Sequence, residues 1–297
     1  MHWETFARPV PLEELGWVNA AYLGTGVWHW DPMMVWGTTV ETDPLDDFLI
    51  EQRRRTGRLL SPAHVLVRAV AESLGRHPAL NRRVTGRRVH QYRGVNIVVP
   101  MLQTRTGGVD PLFLRDAEKM SLADIAQRFW MAAREKAEAA ALESRCGEEQ
   151  QSVRRQALAL GRKLRLHWIH KMGWLGFYLG CRLRVPTIFR FQQELNGAGA
   201  FVNYLGFPGA PPMIAFKPSC LPMNAYSVNV TMGPSEPHPV VVENSVVVRR
   251  QAPLFVRADH RMVNAHEAAA FINTVRRHLA NPWTLVEGER PAARDAA

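Results

Sequence analysis

Asp259-His260-Arg261 is the stretch of this chain best suited to chemistry. The run Pro253-Leu-Phe-Val-Arg-Ala reads as a strand that delivers these three residues, and a helical pattern starts within a few positions and continues to Leu279. The arrangement predicts an imidazole on a strand-to-helix turn, held by backbone groups and open to a substrate. Histidine is the side chain best matched to taking a proton from a thiol, hydroxyl or amine near neutral pH. A histidine at a strand end more often only satisfies local hydrogen bonds, so His260 gains weight from the elements that position it.

Those elements can be read along the chain. Val35 to Val40 reads as a strand, and Pro44 to Gly57 as a helix with Asp46, Asp47 and Glu51 early and Arg53, Arg54 and Arg55 late. That charge order suits the helix dipole. Ser61-Pro62 is a helix start, with Ser at the N-cap and Pro in the first turn. Leu66, Val70 and Leu74 then mark one face of a helix that ends near Gly75. Val84 to Val89, turning at Gly86, and Val95 to Leu102 read as strands, with a short one at 112–114. Ser121 caps a helix to about Ser144, with Ile125, Phe129 and Ala133 on one face. Later strands are expected at 200–206, 213–217, 225–231, 240–248 and 253–258. Ala268, Phe271, Ile272, Val275 and Leu279 recur at helical spacing, and Pro282 stops that helix. Helices and strands interspersed in this order predict a mixed α/β layer fold.

Composition narrows the class. The 297 residues are 46% hydrophobic and 22% charged, which suits a globular chain with a substantial core. Cys146, Cys181 and Cys220 are sparse and lack metal-ligand spacing, so a reducing, cytoplasmic setting without disulfides is expected. Met1 to Thr5 do not open a signal peptide, and no apolar run is long enough for a membrane-spanning helix. Gly24-Thr-Gly26 is too short for a phosphate loop. The net charge is +10, but ten Arg/Lys against two Glu fall between Arg145 and Arg190, which leaves the remainder near neutral. Nucleic acid is therefore an unfavoured partner.

Read in order, these segments resemble the catalytic domain of the 2-oxoacid dehydrogenase acyltransferases, which has the chloramphenicol acetyltransferase-like fold. The resemblance is carried by the helix from Ser61 to Leu74 followed by His77-Pro-Ala-Leu-Asn81, and by Tyr92-Arg-Gly-Val-Asn-Ile-Val-Val-Pro100. Ser121-Leu-Ala-Asp-Ile125, Gly199-Ala-Phe-Val-Asn-Tyr-Leu-Gly206 and Asp259-His-Arg-Met-Val-Asn264 complete it. It implies a two-layer α/β sandwich, with a mixed sheet and helices on one face. It also implies a homotrimer with active sites in channels between subunits. His260 would be the general base, activating a nucleophile that attacks an acyl thioester. Acyl-CoA, or an acyl-carrier-protein thioester, would be a co-substrate, with no permanently bound cofactor and no metal.

Two positions depart from the family pattern. Asn203 and Tyr204 stand where the family has a serine that donates to the tetrahedral oxyanion, and both are candidate donors. Asn264 fills the Asp/Asn position after the histidine, and Ala265 replaces the usual glycine. Asn264 joins the candidate catalytic set, while Asp259 and Arg261 are read as support of the turn. These changes keep a rival in view, a non-catalytic trimeric scaffold or assembly subunit. A component served by a lipoyl domain in trans is a third reading. With no lipoyl-type segment ahead of the catalytic domain a standalone enzyme is expected. A polar tail from Glu287 to Ala297, where the family's large cores usually end in an apolar anchor for trimer-to-trimer contact, makes a lone trimer the expected assembly.

The whole chain, 1–297, is expected to be one catalytic domain carrying a basic amphipathic insertion at about 146–198 and a polar tail at 287–297. Ala157, Leu160, Leu164, Trp168, Met172, Leu175 and Leu179 form one apolar stripe, with Arg154, Arg155, Arg162, Lys163, Arg165 and Lys171 mostly off it. The stretch 154–181 suits an anionic membrane surface, which would make the protein membrane-peripheral, or a hydrophobic or amphiphilic acceptor. Packing against its own trimer is the alternative. His167 and His170 lack a carboxylate or Cys partner for a metal.

Overall fold

The computed structural model describes residues 7–11, 14, 33–85, 88–102, 109–145, 175, 179, 185, 198–207, 209, 211, 213 and 226–286. Most of the aromatic N-terminal region, the strand expected at 213–217, the basic insertion and the polar tail lie outside these residues. Contacts divide the chain into two units. One comprises Met1–Ala126, Ala198–Cys220 and Ala225–Ala297; the other comprises Gln127–Gly197 and Leu221–Asn224.

In the first unit a mixed sheet runs through β2 (Met33–Glu41), β5 (Ile97–Leu102), β6 (Val109–Leu114), β7 (Ala200–Tyr204), β8 (Val228–Met232), β9 (Glu236–Val242) and β10 (Ser245–Asp259). Its order is β2-β10-β8-β7-β5-β6, with β9 paired to β10. β7 pairs parallel with β5 and β8, and the other pairs are antiparallel. A small antiparallel sheet orders β1 (Ala7–Val10), β4 (Arg88–Tyr92) and β3 (Arg82–Thr85) as β1-β4-β3.

Helices α1 (Asp43–Thr56), α2 (Pro62–Arg76) and α4 (Ala265–Ala280) cover one face of the main sheet. This is the mixed α/β sandwich expected from the sequence. α2 begins at Pro62 and buries Val65, Leu66, Val67, Val70 and Leu74. The ring Nδ1 of His64 accepts the Ser61 backbone N–H at 2.9 Å and so caps the first turn. Val256, Val230 and Val202 of the sheet and Phe271 and Val275 of α4 are almost wholly excluded from water. Each such side chain contributes about 1.5–3 kcal/mol by its burial.

Two expectations change. The run 240–248 is not one strand. Glu243 and Asn244 adopt left-handed φ of 49° and 63° and turn the chain into a hairpin, as two-residue hairpin loops favour. The residues beyond that turn join 253–258 in one strand of 15 residues. The apolar face expected along α3 (Leu122–Arg145) is also only partly realised. Leu122 and Ile125 are buried in the first unit, but Ala133 and Trp130 are exposed. From Gln127 onward this helix belongs to the second unit, where Arg134 lies over the Trp130 ring at 5.5 Å.

Candidate active site

The turn between β10 and α4 is closed by a dense set of local bonds. Asp259, buried at the strand end, takes a bidentate pair from Arg261, Nε to Oδ1 at 2.9 Å and a terminal guanidinium nitrogen to Oδ2 at 2.5 Å. The Arg261 backbone N–H donates to the same carboxylate at 3.0 Å. Forked pairs of this kind hold orientation as well as charge. The backbone N–H groups of Met262 and Val263 both donate to the Asp259 carbonyl, so the chain must fold back at His260.

His260 is half-buried, with one ring nitrogen anchored to the backbone and an indole beside the ring. Nδ1–H donates to the Val263 carbonyl at 2.9 Å. A carbonyl can only accept, so the neutral ring carries its proton on Nδ1, and Nε2 is the basic nitrogen. Trp36 of β2 stands edge-on to the ring, with centroids 6.3 Å apart and planes at 61°. Asn264 is the N-cap of α4. Its Oδ1 accepts from the Glu267 N–H, and the Glu267 carboxylate accepts from the Asn264 N–H, both at 2.9 Å. The structure thus brings Asp259, His260, Arg261 and Asn264 together on one turn.

Asn203 and Tyr204 are not brought to that turn within a single chain. Asn203 pairs with Thr231, which pairs with Phe255. His260 lies five residues further along, roughly 16 Å at ~3.3 Å per residue. The two side chains also leave opposite faces of β7. Tyr204 shares the face of buried Val202, and its phenol sits against Gly206, where a Cβ would collide with it. Burial pushes the Tyr204 phenol above its usual pKa of 10.0, nearby Asp46 adds to this, and Arg250 partly offsets it. Asn203 is on the face opposite the helices, with Phe201, which stacks on Tyr226 at 5.4 Å.

Two features of the site were not read from the sequence. The Asn264/Glu267 pair has capping-box spacing and was legible there. Trp36 had no local signal, because only the pairing of Trp36 with Val256 sets it beside His260.

Residues 32–146 and 225–287, more than half of the chain, match the profile of the 2-oxoacid dehydrogenases acyltransferase (catalytic domain). The chain belongs to this acyltransferase family. Solved structures agree on the fold. A probable dihydrolipoamide acetyltransferase from Listeria monocytogenes 4b F2365 superposes with a TM-score of 0.55 at 14% identity, over 96% of this chain and 97% of its own. The dihydrolipoamide acetyltransferase of Azotobacter vinelandii, in which a serine, a histidine and an asparagine four residues after that histidine were investigated for their role in catalysis, gives 0.55 at 18% identity, over 94% and 93%. A chloramphenicol acetyltransferase gives 0.50 at 11%, over 92% and 99%. No curated protein matched this acyltransferase-family sequence directly. Among the described residues no helix is long and apolar enough to cross a membrane. No group of three His, Cys, Asp or Glu residues is placed there to hold a metal.

Proposed function

We propose that the protein transfers an acyl group from a coenzyme A or acyl-carrier-protein thioester to a small hydrophobic or amphiphilic acceptor, in the cytoplasm. The observation that carries this reading is the His260 ring, tied through Nδ1–H to Val263 so that Nε2 is the proton-accepting nitrogen. Nε2 takes the proton from the acceptor's S–H, O–H or N–H as that atom bonds to the thioester carbonyl carbon. The carbonyl oxygen becomes an oxyanion. When the tetrahedral species collapses, the C–S bond breaks and the leaving thiolate takes the proton back from Nε2. Asp259 and Arg261 hold the turn. Asn264 keeps the base at the start of α4. The spacing of His260 and Asn264 matches that of the histidine and asparagine investigated in the Azotobacter enzyme.

The oxyanion donor is Asn203 of a second copy, and the working form is a homotrimer. Two observations support this. Asn203 lies too far along the sheet from His260 in its own chain. The β9–β10 hairpin also holds Val241, Val246 and Val248 about 70% exposed, at 69%, 72% and 72%. Solvent is a poor setting for a valine ribbon, and a neighbouring subunit is a good one. Tyr204 is a weaker donor, since its phenol lies on the helix-covered face. The basic amphipathic stretch at 154–181 supports contact with anionic lipid or with the acceptor itself. Equal flotation on anionic liposomes of the wild type and a folded 150–182 deletion would remove the lipid part.

The test is thiol release from acyl-CoAs of varied chain length in the presence of candidate acceptors. His260→Ala is expected to lower turnover by roughly two to four orders of magnitude. Turnover that survives it refutes the mechanism. A trimer with intact binding and no turnover in the wild type favours the scaffold reading instead.

A further inference from the structure

Along the core-facing side of β2 the burial is graded. Val40, at one end, is 2% exposed, while Met34, near the His260 turn, is 42% exposed. Thr38 and Trp36 lie between them and are half-buried. Trp36 pairs with Val256 and Met34 with Ala258, and both of those β10 residues are fully buried. Side chains paired across a ladder share a face of the sheet, so Trp36 and Met34 continue the core surface outward past its edge. β2 is itself an edge strand of the sheet.

His260 closes this strip. Its ring is anchored by the bond to Val263, and the Trp36 indole stands edge-on to it with centroids 6.3 Å apart. An indole needed only for packing would be expected to be covered, as Val40 is at the other end of the same strand face. Here a large aromatic surface beside the His260 ring, and a polarisable thioether next along the strand face, are left partly open. Trp presents a wide apolar face, and Met adapts to irregular apolar shapes. An anionic or strongly hydrated group gains little from that surface, whereas an alkyl or aryl group is desolvated by it.

We propose that Trp36, with Met34 beyond it, forms the specificity wall of the site. It would receive an apolar group on one of the two reactants, next to the atom that His260 activates. The inference rests on the acyl-transfer reading, and it makes Trp36 a specificity residue, not a catalytic one. An apolar group here can come from the acyl donor or from the acceptor, and the test separates the two.

Binding is measured by calorimetry on the full-length His260→Ala protein, which removes turnover. One series is acyl-CoAs of two, four and eight carbons, and the other is n-alkyl thiols of the same lengths. In one series, lengthening from two to eight carbons should tighten binding by roughly tenfold or more. Adding Trp36→Ala should abolish most of that gain while the two-carbon ligand binds within about threefold of its former strength. Trp36→Phe should restore much of it. The responding series identifies the reactant that carries the apolar group. An unchanged length dependence in both series on removal of Trp36 overturns the proposal. So does turnover, in the His260-containing protein, that Trp36→Ala lowers equally for two-carbon and eight-carbon donors, since Trp36 would then act on the base. Where Trp36→Ala fails to fold, Trp36→Leu takes its place, with the same outcomes. Turnover that survives His260→Ala sinks the mechanism but leaves the length dependence of binding to judge the wall.

Discussion

The two halves of β10 are one strand in two environments. From Ala252 to Asp259 it lies between β2 and β8, with Leu254, Val256 and Ala258 at most 1% exposed. From Ser245 to Arg250 it pairs only with β9, and Val246 and Val248 stand in solvent. Both halves are rich in β-formers, so strand propensity does not separate them; neighbours do. The inner half gives the strand enough purchase to hold the His260 turn. The outer half is an isolated ribbon, marginal in water unless something covers it. Apolar residues kept outside the core in this way point to a partner, and Pro237 and Pro239 discourage further pairing at the β9 edge.

The largest way to break the comparison is Val246→Lys with Val248→Lys. Light scattering should show loss of the proposed trimer, and turnover should drop by about 10²–10³ if the proposed Asn203 donor comes from the neighbouring copy. A stable, active trimer would detach the ribbon from assembly. Next comes stability. Leu254→Ala in the inner half should cost about 2–5 kcal/mol in urea unfolding. Val248→Ala in the outer half, measured on a Val246→Lys background that keeps Val248, should stay within about 0.5 kcal/mol. Equal costs would mean the ribbon is part of the core.

Smaller effects test the turn and the neighbouring helix. Asn264→Ala should cost about 1 kcal/mol through loss of the α4 cap, and Asn264→Ser should recover most of it. The smallest concerns pH. Burial lowers the His64 pKa from 6.5 to about 4, so as pH falls the unfolded chain takes up a proton first. Its contribution is intact above pH 6.5 and is lost between about 6.5 and 4. His64→Gln keeps a capping acceptor that does not titrate, and should flatten that decline in unfolding midpoints. His77 and His278, whose pKa values are also lowered chiefly by burial, keep their share of the slope.

Much of this was legible locally. The Asp259-His260-Arg261 turn, the Ser61-Pro62 helix start and the apolar spacing of α4 are short-range patterns, and the chain forms them by bonds that span a few residues. The Glu243-Asn244 reversal was missed because valines on both sides made one run, and only the left-handed pair breaks it. Asn203 and Tyr204 were read together because they are adjacent, yet adjacent strand residues leave opposite faces.

The sequence by itself determined the family, most of the order of elements and the histidine proposed as the base, since each is written in spacing along the chain. The tertiary structure decided what stands around that base. The antiparallel register of β2 on β10 set Trp36 against His260, and the register of β7 through β8 held Asn203 away from it. Strand pairing joins residues distant in sequence, and its register is fixed by which side chains the whole sheet can bury.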